Sequence, residues 1–235
     1  MAVMELNALS VQLSGSFSAT VIMPENEALH QDRCGALYLL HDVGEDDTYF
    51  RTIKNLEALA SRHGLFIIAP SLMHSFGLDL PYGGKYGRFI WEELPGICRH
   101  MFPLDPERVF IGGVGWGSYG AAVQAAAHPE VFKKCFGING RFDIAGLCEA
   151  ALAGEGLSHL RLSMLEALFA PLEKVRGSNR DLLGSDGTVP KELYIGCPED
   201  SPYLEENAAL AQAKGTALHT APNEEKLFEA ALAWL

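Results

Sequence analysis

Basic residues are scarce in this chain. Eighteen lysines and arginines stand against 30 aspartates and glutamates, a formal net charge of −12 over 235 residues. Such an excess repels phosphodiester backbones and anionic lipid, and no local basic patch offsets it, which argues against binding to nucleic acid or to a membrane surface. Long apolar runs are missing too. None approaches the roughly 18 residues needed to span a bilayer. The opening MAVMELNALSVQL alternates polar and apolar residues and lacks the basic region and apolar core of a secretory signal. A cytoplasmic location is therefore expected. Cys34, Cys98, Cys135, Cys148 and Cys197 are odd in number, widely spaced and never arranged as C-x-x-C, so neither a disulfide framework nor a zinc site is indicated. Glu45, Asp46 and Asp47 form an acidic run, but neither EF-hand spacing nor H-E-x-x-H is present. Carboxylates there suit a solvated helix N-terminus, and no metal or cofactor is expected.

What the chain does have is enough apolar residue, 48%, to bury one sizeable core. One domain over residues 1–235 is expected. Two alternating runs, Val3 to Leu13 and Ser16 to Met23, flank Ser14-Gly15 and predict an opening β-hairpin. Beyond it the pattern changes to short continuous apolar runs, at Ala36 to Leu40, Leu65 to Ala69, Val109 to Ile111 and Leu193 to Ile195, which predict strands buried on both faces. Helical periodicity lies between them, over Tyr49 to Arg62, Gly87 to Met101, Ser118 to Ala127 and Tyr203 to Lys214. This alternation predicts a three-layer α/β sandwich around a mostly parallel sheet. The interval 144–183 has no clear strand and predicts a helical insertion able to cap a pocket.

The most informative segment is Arg108 to Ala121, RVFIGGVGWGSYGA, in which an apolar strand meets a glycine-rich turn and then a small-residue helix. In α/β-hydrolases such a turn carries G-x-S-x-G, with the nucleophilic serine at its tip. Here the pentapeptide is Gly113-Val114-Gly115-Trp116-Gly117. Glycine at position 115 has no side chain with which to attack a carbonyl, so covalent catalysis from that position is excluded.

The chain resembles the esterase D, S-formylglutathione hydrolase and tributyrin esterase group of the α/β-hydrolase superfamily. The resemblance extends from Ala36 to Asp47 (ALYLLHDVGEDD), similar to the family's strand and L-H-G-x-x-G loop, through Pro81 to Pro95 and Phe169 to Leu183, to Glu192 to Asn207 (ELYIGCPEDSPYLEEN), similar to the strand and loop that bear the triad acid. It implies that Gly115 takes the nucleophile's place, Asp200 that of the triad acid, and the backbone N–H groups of Val43 and Trp116 those of the oxyanion-hole donors. The departures are as informative. The family ends in a G-H-D-W-like turn whose histidine is the general base, whereas Ala221 to Phe228 reads APNEEKLF and no histidine follows His219. Asp42 replaces the glycine of the H-G pair, and a carboxylate there opposes a developing oxyanion.

Other residues are weaker candidates. Ser118 falls within the first helical turn and is expected to bond backbone instead of reaching the elbow tip. Cys197, a lone thiol, reads as a small buried hydrophobe or a pocket residue. His219 sits in the expected last strand, Thr216 to Thr220, packed or solvated. His41 is expected to bond loop backbone. His74, Asp79, Tyr82 and Tyr86 are either pocket-lining or part of a solvated loop.

Three functions follow. The first is a catalytically silent hydrolase-fold protein that binds a small acyl or carbonyl ligand, or a protein partner such as a second copy or an active paralogue. The second is an active carboxylesterase or thioesterase with a non-standard site, for example a water activated by Asp200. The third is a dinucleotide-binding module, because Gly115 to Gly120 (GWGSYG) spells G-x-G-x-x-G after a strand. That motif lies mid-chain, and no acidic residue closes the next strand, Lys134 to Asn139.

Overall fold

The computed structural model describes residues 2–25, 33–155, 160–184 and 187–235. Strands β1 (Ala2–Ser10) and β2 (Gly15–Met23) form the opening antiparallel hairpin. The connection is longer than the tight turn expected: β1 ends at Ser10, paired with Gly15, and residues 11–14 turn the chain, with Ser14 at positive φ. Six further strands follow: β3 (Cys34–Leu40), β4 (Leu65–Pro70), β5 (Leu104–Val114), β6 (Lys134–Ile138), β7 (Leu193–Pro198) and β8 (Leu218–Ala221). They build one eight-stranded sheet in the order β1-β2-β4-β3-β5-β6-β7-β8. Only the β1–β2 and β2–β4 pairs are antiparallel. The others are parallel.

The continuous apolar runs exist because the sheet is covered on both sides. Along β3 the side chains alternate: Ala36, Tyr38 and Leu40 enter one core, and Leu37 and Leu39 enter the other. The second core is filled by Leu56 and Leu59 of α1 (Leu56–His63) and by Leu227, Phe228 and Leu232 of the last helix. The first holds Leu94 and Cys98 of α3, Ala121 and Ala122 of α4, and Leu210 of α7. Helix α2 (Tyr86–Arg88) runs through a π-helical stretch, Phe89–Glu93, into α3 (Leu94–Met101). Helices α4 (Trp116–Ala127), α7 (Leu204–Lys214) and α8 (Glu224–Trp234) complete the layers.

Two helices differ from expectation. Tyr49 to Arg62 is not one helix but a 3-10 turn, Tyr49–Thr52, and then α1, because Asn55 adopts a left-handed conformation that breaks the path. The C-terminal helix α8, which the sequence periodicity did not reveal, packs its buried Leu227, Phe228, Ala231 and Leu232 on the sheet. The interval 144–183 is helical as expected, with α5 (Ile144–Leu152), α6 (Leu162–Phe169) and a 3-10 turn at Leu172–Lys174. Its residues 156–159 lie outside the described residues. No helix among the described residues is long and apolar enough to cross a membrane.

Candidate functional site

The turn between β5 and α4 keeps the backbone of a nucleophile elbow. Gly115 has φ 54° and ψ −128°, a conformation that glycine adopts without a Cβ penalty. Its N–H donates to the Ile138 carbonyl at 3.3 Å, and its own carbonyl accepts from the N–H groups of Ser118 at 3.1 Å and Arg141 at 3.0 Å. Gly117 must also be glycine: a Cβ there would run into the Leu40 carbonyl, so the small residue lets α4 lie close against the end of β3. The positive φ of Gly115, this close approach at Gly117 and the Phe76 carbonyl beside Gly120 account for the three glycines of GWGSYG by backbone geometry and packing.

The loop after β3 supplies the other half of the site. His41 is buried and bridges backbone: its Nε2 accepts from the Leu72 N–H at 2.9 Å, so Nδ1 carries the proton that is given to the Asp42 carbonyl at 2.7 Å. Burial pushes its pKa below the ordinary value, and the ring is held neutral. Asp42 then turns its side chain inward. Its Oδ1 accepts from the Val43 N–H at 2.7 Å and from the Trp116 N–H at 2.8 Å.

The two backbone donors that the resemblance assigns to an oxyanion hole therefore do converge, and the atom on which they converge is a carboxylate oxygen of the chain itself. A Cβ added to Gly115 would fall inside that same carboxylate. The acid at 42 and the glycine at 115 thus share one volume. An oxyanion hole works by meeting developing negative charge with unspent donors. Here both donors are already bonded to a carboxylate of the chain itself.

A cavity of about 260 Å³ opens beside Gly115. Asp42, Glu45 and Glu224 bring three carboxylates to its wall, with Tyr49, Asn139 and Tyr203 among the remaining lining. Glu224 begins α8 and lies within Ala221 to Phe228, the segment without a histidine. Asn223 caps that helix through an acceptance from the Lys226 N–H at 3.0 Å, which sets Glu224 over the cavity. Its Oε2 accepts from the Tyr49 hydroxyl at 3.1 Å and its Oε1 from the Asn139 amide at 2.9 Å. Asn139 in turn accepts from the Ser201 hydroxyl at 2.6 Å. Burial, with Glu224 adding to it, raises the Tyr49 pKa well above the ordinary tyrosine range. Sequence reasoning passed over Glu224, Tyr49, Asn139 and Tyr203, and weighed Glu45 only as part of an acidic run. The one available signal was the missing histidine turn, Ala221 to Phe228, the segment that contains Glu224.

The remaining candidates scatter. Asp200 is exposed at the turn after β7. It does not line the cavity, and among the described residues no hydrogen bond or ion pair is recorded for its carboxylate. Ser118 is buried and donates to the Gly113 carbonyl at 2.8 Å, pointing away from the elbow tip. Cys197 is buried, with its Sγ 3.9 Å from Asn139 Oδ1 and its pKa raised by burial, so its thiol stays protonated at neutral pH. His219 lies exposed on β8 and stacks on Tyr194 with ring centroids 4.3 Å apart. Asp79 caps the start of the α2–α3 run by accepting from the Arg88 N–H at 3.1 Å, and Tyr82 is fully exposed. His74 and Tyr86 of that group line a cavity. It is a second one of about 270 Å³, apolar, walled by Met73 and Leu80 on one side and by Met164, Ala167 and Leu168 of α6 on the other. Among the described residues no cluster of His, Cys, Asp and Glu is arranged to hold a metal ion.

Comparison with known proteins agrees with this architecture. An acetyl esterase of Caldicellulosiruptor saccharolyticus is 24% identical over 227 residues, 89% of this chain and 85% of the esterase. The S-formylglutathione hydrolase of Rattus norvegicus is 26% identical over 147 residues, about half of each chain (53% and 51%). Among solved structures, a fluorophosphonate-binding serine hydrolase of Staphylococcus aureus, FphF, superposes with a TM-score of 0.80 at 22% identity, covering 99% of this chain and 97% of that one. An S-formylglutathione hydrolase from Agrobacterium tumefaciens gives 0.76 at 19% identity, covering 99% and 93%. No protein-family profile matches the chain. The strand order, the elbow and these superpositions together show an α/β-hydrolase fold, and in sequence the chain is similar to an acetyl esterase and to S-formylglutathione hydrolases.

Proposed function

We propose that this protein does not act as a serine hydrolase and that it serves as an esterase-like binding protein. The observation that carries the reading is the Asp42 carboxylate, bonded to the Val43 and Trp116 N–H groups in the space where a side chain at position 115 would stand. Nucleophile and base are missing from the sequence, and the donors that would stabilise a tetrahedral intermediate are already engaged. Removing the serine or histidine from a serine hydrolase costs on the order of a million-fold in rate. Any carbonyl ligand entering beside Gly115 would have to displace Asp42. The small acyl ligand expected from the sequence finds apolar room instead in the cavity beneath α6. A role as partner to an active paralogue, or as a homo-oligomer, is compatible with the same site.

The test is hydrolysis of p-nitrophenyl acetate and butyrate by the purified protein, with labelling by a fluorophosphonate probe alongside. No turnover above buffer and no label are expected. Turnover that Glu224→Gln or Asp200→Ala removes would overturn the reading and identify a carboxylate-activated water as the nucleophile.

A further inference from the structure

Arg141 stands three residues past the end of β6, tied to the elbow by its backbone N–H on the Gly115 carbonyl at 3.0 Å. Its guanidinium carbon lies 4.4 Å from the ring centre of Trp116 and 4.6 Å from that of Tyr203. Its Nε is buried and meets no hydrogen-bond partner. No ion pair with any described carboxylate is recorded for it, in a chain with 30 acidic residues. Two acids bonded to or within the residues that follow it are committed elsewhere. Glu206 accepts from the backbone N–H groups of Phe142 and Asp143, and Asp143 accepts from the Gly146 N–H and from Arg176.

A guanidinium stacked on two aromatic rings keeps its charge and gives up part of its hydration, and the rings fix its plane. The in-plane N–H edge, of which Nε is the buried and unpartnered member, is the geometry that accepts a carboxylate in bidentate fashion. A buried donor without an acceptor is costly and calls for a partner. Tyr203 and Gly115, which hold Arg141, also line the cavity beside the elbow. A carboxylate that reached Arg141 from the Tyr203 side would leave the rest of its molecule at that cavity. There Asp42, Glu45 and Glu224 would repel a second negative charge and favour a neutral or ammonium group.

We propose that Arg141, with Trp116 and Tyr203, forms a carboxylate-recognition site for a small monocarboxylate whose far end is neutral or cationic. This site goes beyond the reading above and does not depend on it, because a hydrolytic or a silent protein could carry it equally.

The experiment is calorimetric titration of the full chain with 5-aminovalerate and valerate, and with valeramide as the uncharged control, for wild type, Arg141→Gln and Arg141→Lys. Saturable binding of a carboxylate by wild type is expected, weakened about tenfold or more in either variant, with none for valeramide. Lysine keeps the charge and loses the fork, so its failure isolates geometry from charge. Absence of saturable carboxylate binding by wild type, equal binding of valeramide, or undiminished affinity in a folded variant overturns the proposal. Should both variants fail to fold, arginine Nε–H signals in wild-type 1H–15N spectra give a reading that needs no substitution. One must move on addition of the carboxylate, and none moving overturns the site. Esterase assays run on the same samples report on the hydrolase question separately.

Discussion

Asp42 Oδ1 lies 2.8 Å from the backbone nitrogen of Trp116, 74 positions along the chain, and Gly115 is the residue that leaves it the room. The pairing makes the two positions interdependent. An acid at 42 can turn into the elbow only above a residue without a Cβ, and a side chain at 115 can stand there only if the acid is gone.

Gly115→Ser alone is expected to destabilise the protein without creating an esterase. Positive φ in a non-glycine residue and overpacking each cost about 1–3 kcal/mol. Adding Asp42→Gly vacates the shared volume, and the two substitutions are expected to couple by about 1–3 kcal/mol in a double-mutant cycle followed by urea unfolding. Additive effects would show that the carboxylate moves aside freely.

The hydrogen bond from Tyr49 to Glu224 has a spectroscopic consequence. Burial is the larger cause of the raised Tyr49 pKa, and Glu224 adds to it by opposing the phenolate. Glu224→Gln is expected to lower the pH at which Tyr49 ionises while leaving it above the ordinary value of 10. Alkaline difference absorbance near the tyrosinate band, with Tyr49→Phe identifying the signal, measures this.

Stability is expected to fall as pH drops below about 6.5, before carboxylate titration sets in. His41 has its folded pKa lowered by burial from 6.5, so below that value the unfolded chain takes up a proton that the folded chain refuses. The unfolded state then binds more protons, and stability rises with pH across that window and is lost on acidification. His63 is lowered in the same direction. His41→Gln is therefore expected to reduce the pH slope of the urea midpoint between about pH 5 and 6.5, not to abolish it. An unchanged slope would remove His41 from the account.

All five cysteines are buried, and none forms a disulfide. Burial raises the thiol pKa of Cys98 to about 12 and of Cys148 to about 11, and raises that of Cys197. Ellman's reagent at pH 8 is expected to find no fast-reacting thiol in the folded protein and all five after denaturation. A rapid native reaction at Cys197, lost in Cys197→Ser, would mark an accessible thiolate near the cavity.

Much of this protein was legible in its residues. Continuous apolar runs such as 36–40 and 65–69 announced strands covered on both faces, because a residue next to another in sequence must point to the opposite side of the sheet. The glycine-rich turn after Val109 to Ile111 marked an elbow, and the absence of serine at 115 and of histidine beyond 219 was plain from the residues alone. Less visible was α8, whose start fell in a segment judged by what it lacked.

Tertiary structure decided which groups occupy the site. Asp42 was suspect by position, but only the folded backbone shows its carboxylate accepting from both N–H donors. Glu224 reaches Tyr49 across 175 positions and Asn139 across 85, separations over which periodicity carries no information. Asp200, aligned by resemblance with a catalytic acid, points to solvent instead. The physical reason is the same in each case: local pattern fixes which face of an element is apolar, whereas the partner of a polar side chain depends on chain segments that meet only after the sheet has formed.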